Sequence, residues 1–208
     1  MTFGLDRSWR KYVVQRTGIL KGDTALDICC GTGMLTLELA KTIKEDGRVF
    51  GLDFSNEMLQ IAEKNLENTP YKDIVQFLQG DAMEIPFDDN SFNAVTVAWG
   101  LRNVPDINKV ISEMKRVVKP GGKVVSLDMA KPSMPIFKQG YWLYFQKLVP
   151  LLGKIWTGKK AAYNYLYQSS LRFPHQQELA EIFAKAGLKE TNYHDLFGGV
   201  VAIVEGKK

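Results

Sequence analysis

Residues 25–33 read ALDICCGTG. Apolar residues flank one aspartate, and two adjacent cysteines then lead into a Gly-x-Gly turn. A short apolar run halted by glycines reads as a buried strand feeding a helix, because glycine reaches backbone conformations that a side chain opposes. Working outward, the alternation repeats. TALDIC (24–29), RVFGLD (48–53), IVQFLQ (74–79), NAVTVAW (93–99) and KVVSLDM (123–129) read as strands. Helical patterns fall between them, over roughly 33–45, 55–68 and 106–118. Ser55 is placed to cap the second, with Met58, Leu59, Ala62 and Leu66 on one face. KPGG (119–122) predicts a helix stop followed by a turn. QQELAEIFAKAG (176–187) reads as a helix, and the stretches 188–196 and 199–206 as an antiparallel hairpin at the sheet edge. The expected fold class is α/β, a doubly wound, mostly parallel seven-stranded sheet with that hairpin at its C-terminal edge. One domain is expected over 1–208.

The chain has 208 residues, 45% hydrophobic and 24% charged, an ordinary globular composition. Its net charge of +4 is too small to argue for nucleic acid. Neighbouring residues on a strand point to opposite faces, so Cys29 and Cys30 are not expected to bridge. Nor do they match a metal-ligand spacing; no metal is expected, and both read as small buried residues. Reduced thiols and no recognisable signal peptide suggest the cytoplasm.

One segment breaks the alternation. Residues 134–173 hold ten of the 23 aromatic residues and six basic residues (Lys138, Lys147, Lys154, Lys159, Lys160 and Arg172), with no acidic one. Such a composition suits a helical insert that touches an anionic lipid surface, or a lid pair with solvated lysines.

In open α/β sheets, ligands bind beyond the carboxyl ends of the strands, where the strand order reverses. The first strand ends at the quoted turn. A nicotinamide dinucleotide is one candidate, but of G-x-G-x-x-G only Gly31 and Gly33 match, and position 36 is Thr. A diphosphate also disfavours a nearby anion, and Asp27 stands beside the turn. S-adenosylmethionine, which carries an ammonium and a sulfonium, suits it better. Asp53 ends the second strand and can accept both ribose hydroxyls. Asp81, after the third, could meet an adenine amino group. Gly31, Thr32, Gly33, Phe54, Ala82 and Ala98 complete the cofactor set. Each aspartate has a structural alternative, as a turn or helix cap.

These residues bring out a resemblance. An acidic residue followed by alternating glycines is similar to the first motif of class I S-adenosylmethionine-dependent methyltransferases, with Cys29 where many members have glycine. GDAMEIPFDDNSF (80–92), WGLRNVPD (99–106), RVVKPGGKVVSLDMAKP (116–132) and GGVVAI (198–203) together resemble the C-methyltransferases of ubiquinone and menaquinone biosynthesis. CCGTG and the tyrosine-rich insert look most like the family's bacterial demethylmenaquinone branch. Departures are Asp128 and Ala130, where the family usually has Glu and Ser, and Asp6, where it usually has His. The upstream part of the first signature, which in the family folds over the cofactor, has no counterpart, so an N-terminal lid is expected to be missing.

The resemblance implies a Rossmann-like fold, S-adenosylmethionine as cofactor, and methyl transfer to a ring carbon of a prenylated naphthoquinol, demethylmenaquinol. The quinol must lose a hydroxyl proton, and a phenol-type hydroxyl has a pKa near 10. Arg102 and Asn103 follow the fourth strand on the cofactor's rim. Arginine stays protonated, so Arg102 is assigned to stabilise the developing quinolate and Asn103 to orient. The alternative pairs Arg102 with a structural acid. His194 is a second candidate base, set against a surface or core role, and His175 reads as a helix-start residue. Tyr141 and Tyr144 could line the quinone ring. Expected partners are the quinol and, transiently, the inner face of a membrane; a homodimer is left open. Nucleic acid is not expected, since AWGLRN lacks the Pro-Pro-aromatic motif of base methyltransferases. A nicotinamide-dependent reductase, a methyltransferase for another lipophilic acceptor, and a non-catalytic scaffold are the rival readings.

Overall fold

In the computed structural model, residues 4–132, 169–170 and 172–208 are described. Tyr141, Tyr144 and most of the aromatic and basic insert lie outside them. The described elements are α1 (Leu5–Thr17), β1 (Thr24–Ile28), α2 (Met34–Ile43), β2 (Arg48–Asp53), α3 (Asn56–Glu67), β3 (Val75–Gln79), β4 (Phe92–Ala98), α4 (Ile107–Val117), β5 (Val118–Met129), α5 (Gln176–Lys185), β6 (Lys189–Leu196) and β7 (Val201–Lys207). Single helical turns occupy Leu101–Asn103 and Phe197–Gly199.

Seven strands form one sheet in the order β3-β2-β1-β4-β5-β7-β6. The first five run parallel, and β7 pairs antiparallel with both β5 and β6. The mostly parallel sheet and its antiparallel edge are therefore as the alternation predicted. The chain leaves β1 toward β2 and later returns to β1's other side as β4. This is the switch point, and it lies at the glycine turn.

Strand side chains alternate between the two faces. Leu26, Ile28, Val95 and Val97 meet the apolar stripe of α4 (Val110, Ile111, Met114) and Phe183 of α5. Ala25, Ala94, Val125 and Ile203 face Val13 and Val14 of α1 and Leu39 and Ile43 of α2. Burying each large aliphatic side chain contributes roughly 1.5–3 kcal/mol, so both faces must stay covered for the sheet to persist.

Helix starts follow ordinary capping chemistry. Ser55 Oγ accepts the Met58 N–H, and Asp106 Oδ1 accepts the Lys109 N–H. His175 caps α5 in a reciprocal arrangement with Glu178, which agrees with its reading as a helix-start residue.

Two features differ from the sequence reading. Helix α1 was not predicted; its apolar contacts at Trp9 and Val13 are spaced by four but interrupted by charge, which weakens the pattern. KPGG stops helix α4 as expected but does not stand outside the sheet. β5 begins at Val118, opposite Phe92, and the next pair is Lys123 with Ala94, so residues 119–122 bulge out of the strand. Gly121 takes a left-handed φ of 83°, and its N–H reaches the Lys208 carbonyl.

Candidate active site

The carboxyl ends of β1, β2, β3, β4 and β5 form one rim. At its centre, residues 29–33 turn from β1 into α2. Gly33 is required there, because a Cβ would lie 2.7 Å from the Phe77 ring. Gly31 has a φ of 55°, and the space where its Cβ would stand is open, so a ligand can approach this backbone closely. Cys29 adopts a left-handed φ of 49°, the conformation a glycine would take freely. The departure from the family's glycine therefore keeps the turn's shape at some cost in strain. Room for its side chain comes from Gly100, where a Cβ would fall 2.4 Å from Cys29 Cβ. Both cysteines are free. Burial, with nearby Asp53 and Asp27, pushes the Cys29 thiol up to about 12 and raises Cys30 as well, so neither offers a thiolate nucleophile.

Asp27 does not stand on the open rim. It is 1% exposed, on the α2 face of β1. The hydroxyls of Thr36 and Thr96 donate to its two oxygens at 2.8 and 2.9 Å. Among the described residues no basic side chain pairs with it. Burial, reinforced by Asp53, pushes its carboxyl up to about 7 against the pull of the two hydroxyls. The Thr that spoils the dinucleotide fingerprint is thus one of the two hydroxyls that hold this aspartate.

At the end of β2, Asp53 Oδ2 accepts the Gly31 N–H at 2.7 Å and Oδ1 accepts the Ser55 N–H at 2.9 Å. This carboxylate ties the glycine turn to the neighbouring strand, and each oxygen keeps a further lone pair for a ligand hydroxyl. Phe54 beside it is 77% exposed, a bare ring on the rim. Asp81 makes a turn after β3, its Oδ1 accepting the Met83 N–H, with Ala82 buried behind it. Ala98 ends β4. The cofactor set read from the sequence is therefore brought together along one rim, with Asp27 behind it.

Across β1, the rim changes character. Arg102 sits in the turn after β4, and its Nη1 donates to Asp128 Oδ1 at 2.5 Å. Asp128, at the end of β5, is 3% exposed and also accepts the Met129 N–H at 2.8 Å. Burial pushes its carboxyl upward and the Arg102 guanidinium opposes the rise. The pairing with an acid that the sequence reading held as the alternative for Arg102 is present, in Asp128. The guanidinium carbon lies 5.7 Å from the centre of the Trp99 ring. Trp99 has a left-handed φ of 63° and meets Trp9 of α1 at a ring separation of 6.0 Å. Asn103 is exposed, with its amide 3.4 Å from the Trp99 carbonyl.

His194 is not at this rim. On the α1 face of β6 it lies edge-on to Tyr12 and 3.7 Å from Glu205, which Arg16 also grips. Its place is in the packing of α1 on the sheet edge. Trp9, Trp99, Thr36 and Thr96 were missed by sequence reasoning. The threonines carried a faint signal, as hydroxyls in otherwise apolar elements. Among the described residues, no group of His, Cys, Asp or Glu side chains could hold a metal.

Comparison with known proteins agrees with this geometry. The chain is 62% identical over all 208 residues to the demethylmenaquinone methyltransferase of Desulfitobacterium hafniense (strain Y51), spanning 82% of that protein. It is 45% identical to the demethylmenaquinone methyltransferase of Bacillus pumilus (strain SAFR-032), again over the whole chain and 88% of the relative. In fold, it is similar to a SAM dependent methyltransferase from Aquifex aeolicus, with a TM-score of 0.70 at 21% identity over 95% of this chain and 88% of that one. The profile of the ubiE/COQ5 methyltransferase family matches residues 1–208, and the chain belongs to that family.

Proposed function

We propose that this chain methylates a ring carbon of a prenylated naphthoquinol, demethylmenaquinol, using S-adenosylmethionine. The observation that carries this reading is the division of the rim. On the glycine-turn side lie carboxylates that have no cationic partner among the described residues, and a guanidinium held by Asp128 lies one strand beyond.

The residues present fit the cofactor. The open backbone at Gly31 admits a close ligand, the spare lone pairs of Asp53 suit a ribose diol, and the bare Phe54 ring suits an adenine face. Thr32 and Gly33 complete the turn, and Asp81, Ala82 and Ala98 border the base. When bound, the cofactor supplies a methyl group on a positively charged sulfur. Asp27 lies behind the turn, where a bound cation would favour its charged form.

On the acceptor side, Arg102 stabilises the oxygen of the quinol as its proton leaves, which raises the electron density of the ring carbon. Asn103 stands one residue on, placed to orient the ring. The bound cofactor would supply the methyl to this carbon with the sulfur keeping the electron pair, and the ring would give up its hydrogen as a proton. Tyr141 and Tyr144 belong to the insert and are assigned to the quinone ring from the sequence alone. A substrate with a prenyl tail resides in a bilayer, and the insert's aromatic and basic composition supports transient peripheral contact at a membrane's inner face. No helix among the described residues is long and apolar enough to cross a membrane.

The test is methyl transfer to short-chain demethylmenaquinone analogues, reduced and oxidised. Transfer to the reduced form alone is expected. Equal transfer to both, or to neither while S-adenosylmethionine binds, would remove the quinolate from the reading.

A further inference from the structure

We propose that Asp128 is a positioning residue for methyl transfer, holding Arg102 in the one orientation in which its remaining N–H groups face the acceptor. This rests on the reading of Arg102 as the quinolate stabiliser.

Arginine on a single helical turn has four soft torsions and no reason of its own to keep one pose. Here two contacts limit that freedom: Asp128 Oδ1 takes Nη1, and the indole of Trp99 lies beneath the guanidinium, while Asp128 Oδ2 lies 3.4 Å from the Arg102 backbone N–H. Asp128 is itself anchored. It is buried at the end of β5, and Oδ1 is fixed by the Met129 N–H. Only 14% of the Arg102 side chain is exposed, so the guanidinium is presented along one edge. Among the described residues, Asp128 engages the guanidinium through Nη1 alone, which leaves Nε and Nη2 to serve as that edge.

A carboxylate bound to the stabilising cation would seem counterproductive, because it offsets part of the charge offered to the quinolate. It is useful if direction matters more than total charge. Misplacing a catalytic group by about 1 Å can cost about 100-fold in rate, whereas an aimed N–H pair acts where charge develops. Asp128 also supplies the counter-charge that lets the guanidinium be largely buried.

The experiment is a double-mutant cycle on the full chain, using Arg102→Ala, Asp128→Asn and the pair. Turnover with a reduced analogue, calorimetric S-adenosylmethionine affinity and melting temperature are measured for each. Asp128→Asn is expected to lower kcat about 10- to 100-fold, with cofactor affinity within about two-fold. The pair is expected to be no slower than Arg102→Ala alone, because Asp128 acts only through Arg102. With the carboxylate's charge gone, the acid limb of the kcat–pH profile should move to lower pH, a change that loss of stability alone does not produce. Normal turnover in Asp128→Asn, or losses that multiply in the pair, would overturn the proposal. If Arg102→Ala turns over normally, the role of Arg102 itself fails, and that outcome is separate from the first two. Should Asp128→Asn not fold, Arg102→Lys addresses the same point, since it keeps the charge and gives up the fork. A loss of at least ten-fold is expected there, and wild-type turnover would overturn the proposal.

Discussion

Asp27 and Asp128 are both buried aspartates near strand ends of one sheet, and their partners are opposite in kind. Asp27 is held by two neutral hydroxyls, Asp128 by a guanidinium. The first has no counter-ion among the described residues, so burial favours its neutral form and a cation in front of the turn would favour the charged one. The second is spent on fixing a cation already in the fold. The glycine-turn half of the rim is thus set to receive positive charge, and the β4–β5 half to deliver it in one direction. A methyl-transfer site needs both, because its donor is cationic and its acceptor becomes anionic.

The sharpest way to break this division is on the delivering side. Arg102→Ala should reduce kcat about 100- to 1,000-fold, the scale for loss of an oxyanion donor, while calorimetric S-adenosylmethionine affinity stays within about two-fold. Parallel loss of both would mean the two halves are not separate. On the receiving side, Asp53→Ala removes the acceptor for the ribose and loosens the Gly31 N–H. Cofactor dissociation constants should rise about 10- to 100-fold, from the roughly 1.5–3 kcal/mol of hydrogen bonds to a charged group. Unchanged affinity would leave Asp53 as a turn anchor only.

Asp27→Asn sharpens the comparison through pH. The Asp27 carboxyl is pushed up to about 7 in the fold, against an ordinary value near 4 in the unfolded chain. The folded state therefore binds a proton that the unfolded chain has released. The contribution is full below about pH 4 and lost as pH rises through about 7. Without cofactor, Asp27→Asn should melt several degrees above the parent protein at pH 8 and lose that advantage toward pH 4, as read by thermal unfolding across pH. Its cofactor affinity should fall about ten-fold, the charge acting from behind the turn. The smallest effect is expected at Phe54. Phe54→Ala should weaken cofactor binding about 5-fold with no change in melting temperature, because the ring is exposed and stacks only on a ligand.

Much of this was legible in the sequence because the signals are local. The mostly parallel sheet follows from alternation, and the rim from aspartates and glycines placed where apolar runs stop. What was not legible depends on strand register and packing. Thr96 meets Asp27 because β1 and β4 align those two residues, and Thr36 meets it from the first turn of α2. Asp128 meets Arg102 because β5 ends beside the turn that follows β4. The Trp9–Trp99 contact requires α1, whose charged first turns conceal its apolar spacing. The sequence placed Asp27 on the rim, whereas the pleat turns it under α2, and no one-dimensional pattern distinguishes a carboxylate on a turn from one behind it.

The most direct measurement is calorimetric titration of S-adenosylmethionine at about pH 6.5 in buffers of different ionisation enthalpy, for the parent protein and Asp27→Asn. A cation bound in front of Asp27 lowers its pKa, so the expected result is release of on the order of half a proton or more per cofactor by the parent and little by the variant. A binding heat independent of buffer, or equal release by both proteins, would contradict the claim that this buried carboxylate awaits a cation.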